Sequence, residues 1–87
     1  MSRVVVGPVV LELDGAKVHV LEVTPHPWLD GRVHYLVSCY VEYGGYRSAV
    51  FTLDVTSNAE LEVKLRSEVA KMKIMLMVGR TEPFTKT

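Results

Sequence analysis

Residues 32–43, RVHYLVSCYVEY, and residues 46–55, YRSAVFTLDV, are separated only by Gly44-Gly45, and the reading of this stretch decides the fold. Both runs alternate with a period of two and are rich in β-branched and aromatic residues, the pattern of strands. Two consecutive glycines supply the positive φ values of a type I′ turn, so the runs form a two-residue hairpin. That turn sets Tyr43 opposite Tyr46, Glu42 opposite Arg47, Val41 opposite Ser48, Cys39 opposite Val50 and Ser38 opposite Phe51. Carried to the end of the hairpin, this register places Leu36, Ser38, Tyr40, Ala49, Phe51, Leu53 and Val55 on one face. Small residues there lie opposite large ones, which makes room for a packed helix. The other face then carries Val33, Tyr35, Val37, Cys39, Val41, Tyr43 and Tyr46, then the more polar Ser48, Val50, Thr52 and Asp54. It is too apolar for plain solvation, so it is expected to meet a partner.

Upstream, Asp14-Gly15 is a second type I′ signal. It pairs Leu13 with Ala16, Glu12 with Lys17, Leu11 with Val18 and Val9 with Val20. Glu12, Val10, Lys17 and His19 share one face, and the apolar remainder is core. Gly7-Pro8 interrupts the first strand, because proline has no N–H to give a ladder, and this marks an edge or a bulge. Alternation slips again at Leu21-Glu22-Val23, where a bulge or a strand end is expected. Residues 24–31, TPHPWLDG, read as an irregular loop whose prolines stiffen the approach to Trp28. The indole either caps the open end of the core or stands at the rim of a binding surface.

Downstream, Ser57 and Glu60 have the spacing of a capping box, and Glu60/Lys64 and Glu62/Arg66 are i, i+4 ion pairs. Leu61, Leu65, Val69, Met72 and Leu76 form the stripe that lies on the sheet, and Gly79 is the natural stop. Ile74 to Val78 are apolar around the whole circumference, which points to burial of the last turn against another subunit. The chain is thus read as one α+β domain over residues 1–87, a four-stranded antiparallel β-meander followed by one long C-terminal helix, β-β-β-β-α. Strands are expected at about 3–13, 16–24, 32–43 and 46–55 and the helix at about 58–78, with residues 80–87 as a flexible tail.

Composition bounds the function. With 87 residues, the domain buries roughly 60 to 65 % of its unfolded surface and has little stability to spare, so a homodimer or higher homo-oligomer is expected. Ten basic and ten acidic residues give no global attraction toward nucleic acid or membrane, so any such binding needs a local patch. Pro8, Glu12 and Asp14 break the N-terminal apolar run before a signal or a span forms. A soluble, cytoplasmic protein is expected, with no membrane partner. The lack of Gln, the single Asn58 and Cys39, and the high valine content suggest a heat-adapted source.

Two hairpins, a stiff Trp-bearing connection and a closing helix resemble the single-stranded nucleic-acid-binding folds of the Whirly, Pur-alpha and positive-cofactor type. The chain is also similar in this respect to the small Thermo-DBP-related single-stranded DNA-binding proteins of heat-loving archaea. The resemblance covers residues 3–78 as topology. It implies a homodimer that binds single-stranded DNA, or RNA, along its sheet. The implied stacking residues are Trp28, Tyr35, Tyr43 and Tyr46, with Arg32, Arg47 and Arg3 as phosphate partners. Stacking on an aromatic ring contributes about 1 to 3 kcal/mol per base regardless of sequence. The alternative is a structural or regulatory homo-oligomeric protein-interaction module that binds no nucleic acid.

An enzyme is not expected. His19, His26 and His34 lack metal-ligand spacing, so no metal and no cofactor are assigned. Cys39 lies mid-strand between Val37 and Val41, where a thiol is inert. Gly44-Gly45 precedes no helix and so is no phosphate loop.

Overall fold

A computed structural model of the chain describes residues 9–87. The elements run β1 (Val9–Leu13), β2 (Ala16–Pro27), β3 (Val33–Tyr43), β4 (Tyr46–Arg47), β5 (Phe51–Val55), α1 (Asn58–Met77) and β6 (Thr85–Lys86). The architecture is the expected one, an antiparallel sheet followed by one long C-terminal helix. Arg3 and the Gly7-Pro8 interruption lie outside the described residues.

The first hairpin follows from its turn. Asp14 and Gly15 take φ of 52° and 82°, and β1 pairs with β2 in the expected register from Leu13↔Ala16 to Val9↔Val20. A bulge falls between Val20 and Glu22, as the slip in alternation indicates. Beyond it β2 does not dissolve into a loop. It continues through Pro27, with Thr24 opposite Leu36 and His26 opposite His34. The Trp28 N–H donates to the Arg32 carbonyl at 3.0 Å. Since hydrogen-bonded pairs alternate in an antiparallel ladder, Pro25 and Pro27 occupy positions whose missing N–H faces away from β3. The prolines are therefore compatible with a strand, and only residues 28–32 form the turn.

The central hairpin departs from expectation in register. Gly44 and Gly45 take φ of 61° and 82°, and Tyr43↔Tyr46 and Glu42↔Arg47 pair as expected. At Ser48 the ladder changes partner chemistry. The Ser48 N–H donates to the Val41 carbonyl at 2.8 Å, but the Val41 N–H donates to the Ser48 hydroxyl at 2.9 Å, and that hydroxyl donates onward to the Ala49 carbonyl. A side chain replaces one backbone acceptor, the chain takes up one extra residue, and pairing resumes with Cys39 opposite Phe51. A slip of one residue exchanges the faces of one strand relative to the other. Val37, Cys39 and Val41 therefore lie under the helix with Phe51, Leu53 and Val55. Leu36, Ser38 and Tyr40, expected beneath the helix, lie on the open face.

The core is small and mostly aliphatic: Val18, Val20, Val37, Cys39, Val41 and Val55 from the sheet meet Leu65, Val69 and Met72 from α1. Each buried aliphatic side chain contributes roughly 1.5 to 3 kcal/mol. Leu61 and Leu76 pack at the margins of this cluster, completing the expected stripe. The residue after the helix is Val78, and Gly79 at φ 82° donates to Leu76 while Arg80 donates to Met75 at 2.8 Å. Those paired bonds satisfy the last carbonyls in a Schellman arrangement. The tail does not fray as expected: Thr85–Lys86 pairs with β4, and Phe84 packs on the core.

The start of α1 uses the expected residues in a slightly different circuit. Ser57 accepts from the Glu60 N–H at 3.1 Å. The Glu60 carboxylate, however, accepts from the Thr56 N–H at 2.8 Å and the Thr56 hydroxyl at 2.9 Å. These Thr56 bonds, with Lys64 adding to them, lower the Glu60 carboxyl from the ordinary 4.5 to about 2. A depressed folded-state value stabilises above the unfolded value and is lost as pH falls through the folded one. The urea midpoint of the wild type is expected to drop between pH 4.5 and about 2, and Glu60→Gln to lack that part of the drop. Parallel declines in both proteins would contradict the assignment.

Candidate functional site

The corrected register makes the open sheet face polar. Pairing places Glu12, Lys17, His19, Tyr40, Glu42 and Arg47 at one end, Glu22, Thr24, Ser38 and Thr52 in the middle, and His34 and Asp54 at the other end. The expectation of an apolar, unclaimed second face is therefore overturned, because its valines and Cys39 are the ones the helix covers. His19 stacks on Tyr40 with ring centroids 4.4 Å apart and planes within 4°. The His19 Nε2 lies 2.8 Å from the Glu42 carboxylate. Acids and bases are interspersed over the whole face, so it exerts no strong pull on a polyanion.

The Trp28 end has its own geometry. The indole is 49 % exposed and stays outside the hydrophobic core, so it does not cap it. It packs between two imidazoles, 5.2 Å from His26 and 5.4 Å from His34. His34 Nδ1 lies 2.8 Å from Asp54, and its Nε2 lies 3.4 Å from Asp30. Each ring nitrogen faces a carboxylate, so the imidazolium is favoured; the Asp54 hydrogen bond is the main cause raising the His34 pKa, with Asp30 adding to it. Asp30 is itself lowered, first by the Arg32 N–H that donates to it.

The residues expected to stack on bases do not share a surface. Trp28 and Arg32 lie at the far turn, and Arg47 is on the open face near Tyr40. Tyr35, Tyr43 and Tyr46 all project to the helix side. Tyr35 borders a groove with Val23, Val37 and Leu61. Tyr43 and Tyr46 are half-buried against the core, and Lys73 Nζ sits 5.2 Å from the Tyr43 ring centroid. Arg3 lies outside the described residues. The ring that does stand on the open face, Tyr40, is one that the unbroken hairpin register places beneath the helix.

A second surface lies on the helix. Val63, Ala70 and Ile74 are each two residues from a side chain of the inward stripe, and two residues turn an α-helix by about 200°. They therefore project diametrically away from the sheet. Val63 is 68 % exposed, Ile74 59 %, Met77 80 % and Val78 65 %. Ala59, Ser67 and Ala70 between them are exposed and small. The helix is thus apolar on two opposite sides, where a surface helix ordinarily has one. The flanks are charged, with Glu60 bound to Lys64 at 3.2 Å and Arg66 clasped by Glu62 at 2.9 Å and Asp14 at 2.6 Å. Only Ile74 to Val78 of this surface stand out as an apolar run; the rest is legible as the spacing of Val63, Ala70, Ile74 and Met77 at i, i+7, i+11 and i+14.

Among the described residues no group of three or more His, Cys, Asp or Glu side chains is placed to hold a metal ion, and no helix is long and apolar enough to cross a membrane. Burial, with Glu68 nearby adding to it, pushes the Cys39 thiol up to about 11, so it carries almost no thiolate at neutral pH. Compared with protein families, with curated proteins and with solved structures, the chain matches none.

Proposed function

We propose that this chain is a non-catalytic, homo-oligomeric protein-interaction module that associates through the outward face of α1. The observation that carries this reading is the second apolar stripe, which leaves Val63, Ile74, Met77 and Val78 exposed on one side of a helix whose other side is already buried. A domain of this size has few apolar residues to spare, and placing four of them together at the surface favours a contact over solvation. Light scattering coupled to size-exclusion chromatography tests it. A mass near twice the 9.8 kDa chain at tens of micromolar is the expected result, and 9.8 kDa at every concentration up to about 1 mM would sink it.

Single-stranded nucleic-acid binding is the second reading. What favours it is the half-exposed Trp28 beside Arg32, on a sheet that also presents Tyr40 and Arg47. The interspersed carboxylates count against it, since polyanion binding draws on the net release of counterions. Trp28 fluorescence titrated with an oligo-dT at two salt concentrations separates the readings. Saturable quenching that weakens with salt supports binding, and an unchanged signal at micromolar protein removes it for DNA.

A further inference from the structure

Resting on the reading of α1 as the contact surface, we infer that its occupant is a second copy of this chain, with the two helices packed antiparallel about a twofold axis passing between Glu68 and Val69. Three features of the helix carry this. The first is the size profile of the middle of the outward stripe, Val63, Ser67, Ala70, Ile74, which reads large, small, small, large in either direction. A twofold contact is self-complementary, so residue i meets j and j meets i. About this axis Val63 meets the partner's Ile74, and Ser67 meets the partner's Ala70. The small central pair lets the backbones approach while the large pairs close both ends.

The second feature is charge. In the first half of α1 Glu60 and Glu62 are balanced by Lys64 and Arg66, whereas Glu68, Lys71 and Lys73 leave the second half with a net positive charge. Antiparallel packing sets the neutral half of one helix beside the positive half of the other and opposes the two helix dipoles. Parallel packing would set the two positive halves side by side. The third feature is area. At the usual density of interface residues, the stripe and its flanks bury about 1,000 Å² in total, the lower limit for a specific contact. That suits a reversible dimer. The sheets then lie on opposite outer sides, both open faces stay accessible, and the two Trp28 turns fall at opposite ends of the assembly.

Cysteine cross-linking tests the orientation. Val63→Cys and Ile74→Cys replace exposed side chains, and the native Cys39 is buried and unreactive. In the antiparallel pair, position 63 lies beside the partner's position 74, while the two copies of position 63 are about 16 Å apart along the axis. A short bismaleimide is expected to join Val63→Cys protein to Ile74→Cys protein in a mixture and to leave each alone as monomer. Cross-linking of each single variant to itself would establish parallel packing and overturn the inference. A wild type that is dimeric by light scattering while the mixture fails to cross-link overturns it too, and leaves the contact surface to be sought elsewhere. A wild type that is monomeric removes the underlying reading instead.

Discussion

Leu65→Ala is expected to lower the unfolding free energy by about 2 to 5 kcal/mol. Leu65 is 1 % exposed and sits at the middle of the inward stripe, among Val69, Met72 and the sheet valines. The substitution removes three buried carbons and leaves a cavity that a sheet fixed by its own ladders fills poorly. A domain of 87 residues has a total stability on the order of 4 to 13 kcal/mol, so the loss takes a large part of the margin. Thermal unfolding should fall by roughly 10 °C or more. Urea titration by circular dichroism measures it. A loss below about 1 kcal/mol would mean that α1 does not lie on Val37, Cys39 and Val41 as described.

The second large effect is on the opposite side of the same helix. Ile74→Glu is expected to weaken self-association more than 100-fold while leaving the fold intact. Ile74 is 59 % exposed in the single chain, so a glutamate there is solvated and costs the domain little. In the pair, each substitution removes about 1.5 to 3 kcal/mol of apolar burial, and a twofold contact contains the substituted layer twice. About 1.4 kcal/mol is tenfold in affinity, so two such losses exceed a hundredfold. Met77→Glu, nearer the end of the contact, should have a smaller effect in the same direction.

Much of the fold is legible in the sequence because its local signals are strong. Asp14-Gly15 and Gly44-Gly45 each dictate a turn whose positive φ values only a few residue pairs favour, and the pairs nearest each turn follow. Ser57 and Gly79 bracket α1 because they answer the unpaired N–H and C=O groups at its ends. The register beyond Arg47 is not legible from the turn. It depends on the Ser48 hydroxyl taking a backbone acceptor's place, and serine gives no sequence sign of which bond it makes. The neighbouring strand constrains it: Val18 and Val20 are core, β2 pairs with β3, and a continuous sheet requires Val41 and Cys39 on that same side. Following that constraint places Val37, Cys39 and Val41 under the helix and Tyr40 on the open face.

The functional expectation turns on the same bulge. An apolar, aromatic second face exists only in the unbroken register, and with the bulge in place Tyr35, Tyr43 and Tyr46 move to the helix side. The strand character of Thr24 to Pro27 is masked in the sequence by two prolines that the ladder tolerates, since their missing donors point away from β3. The outward stripe of α1 is only partly legible, because Ile74 to Val78 form a run while Val63 and Ala70 are isolated among charged residues.

Sedimentation equilibrium of the wild type beside Ile74→Glu, at matched concentrations from about 1 to 500 μM, tests the central claim most directly. The outward face of α1 as a contact surface predicts a concentration-dependent dimer for the wild type and a monomer for the variant, with identical far-ultraviolet circular dichroism. A wild type that stays monomeric throughout, or two proteins that associate equally, would contradict it.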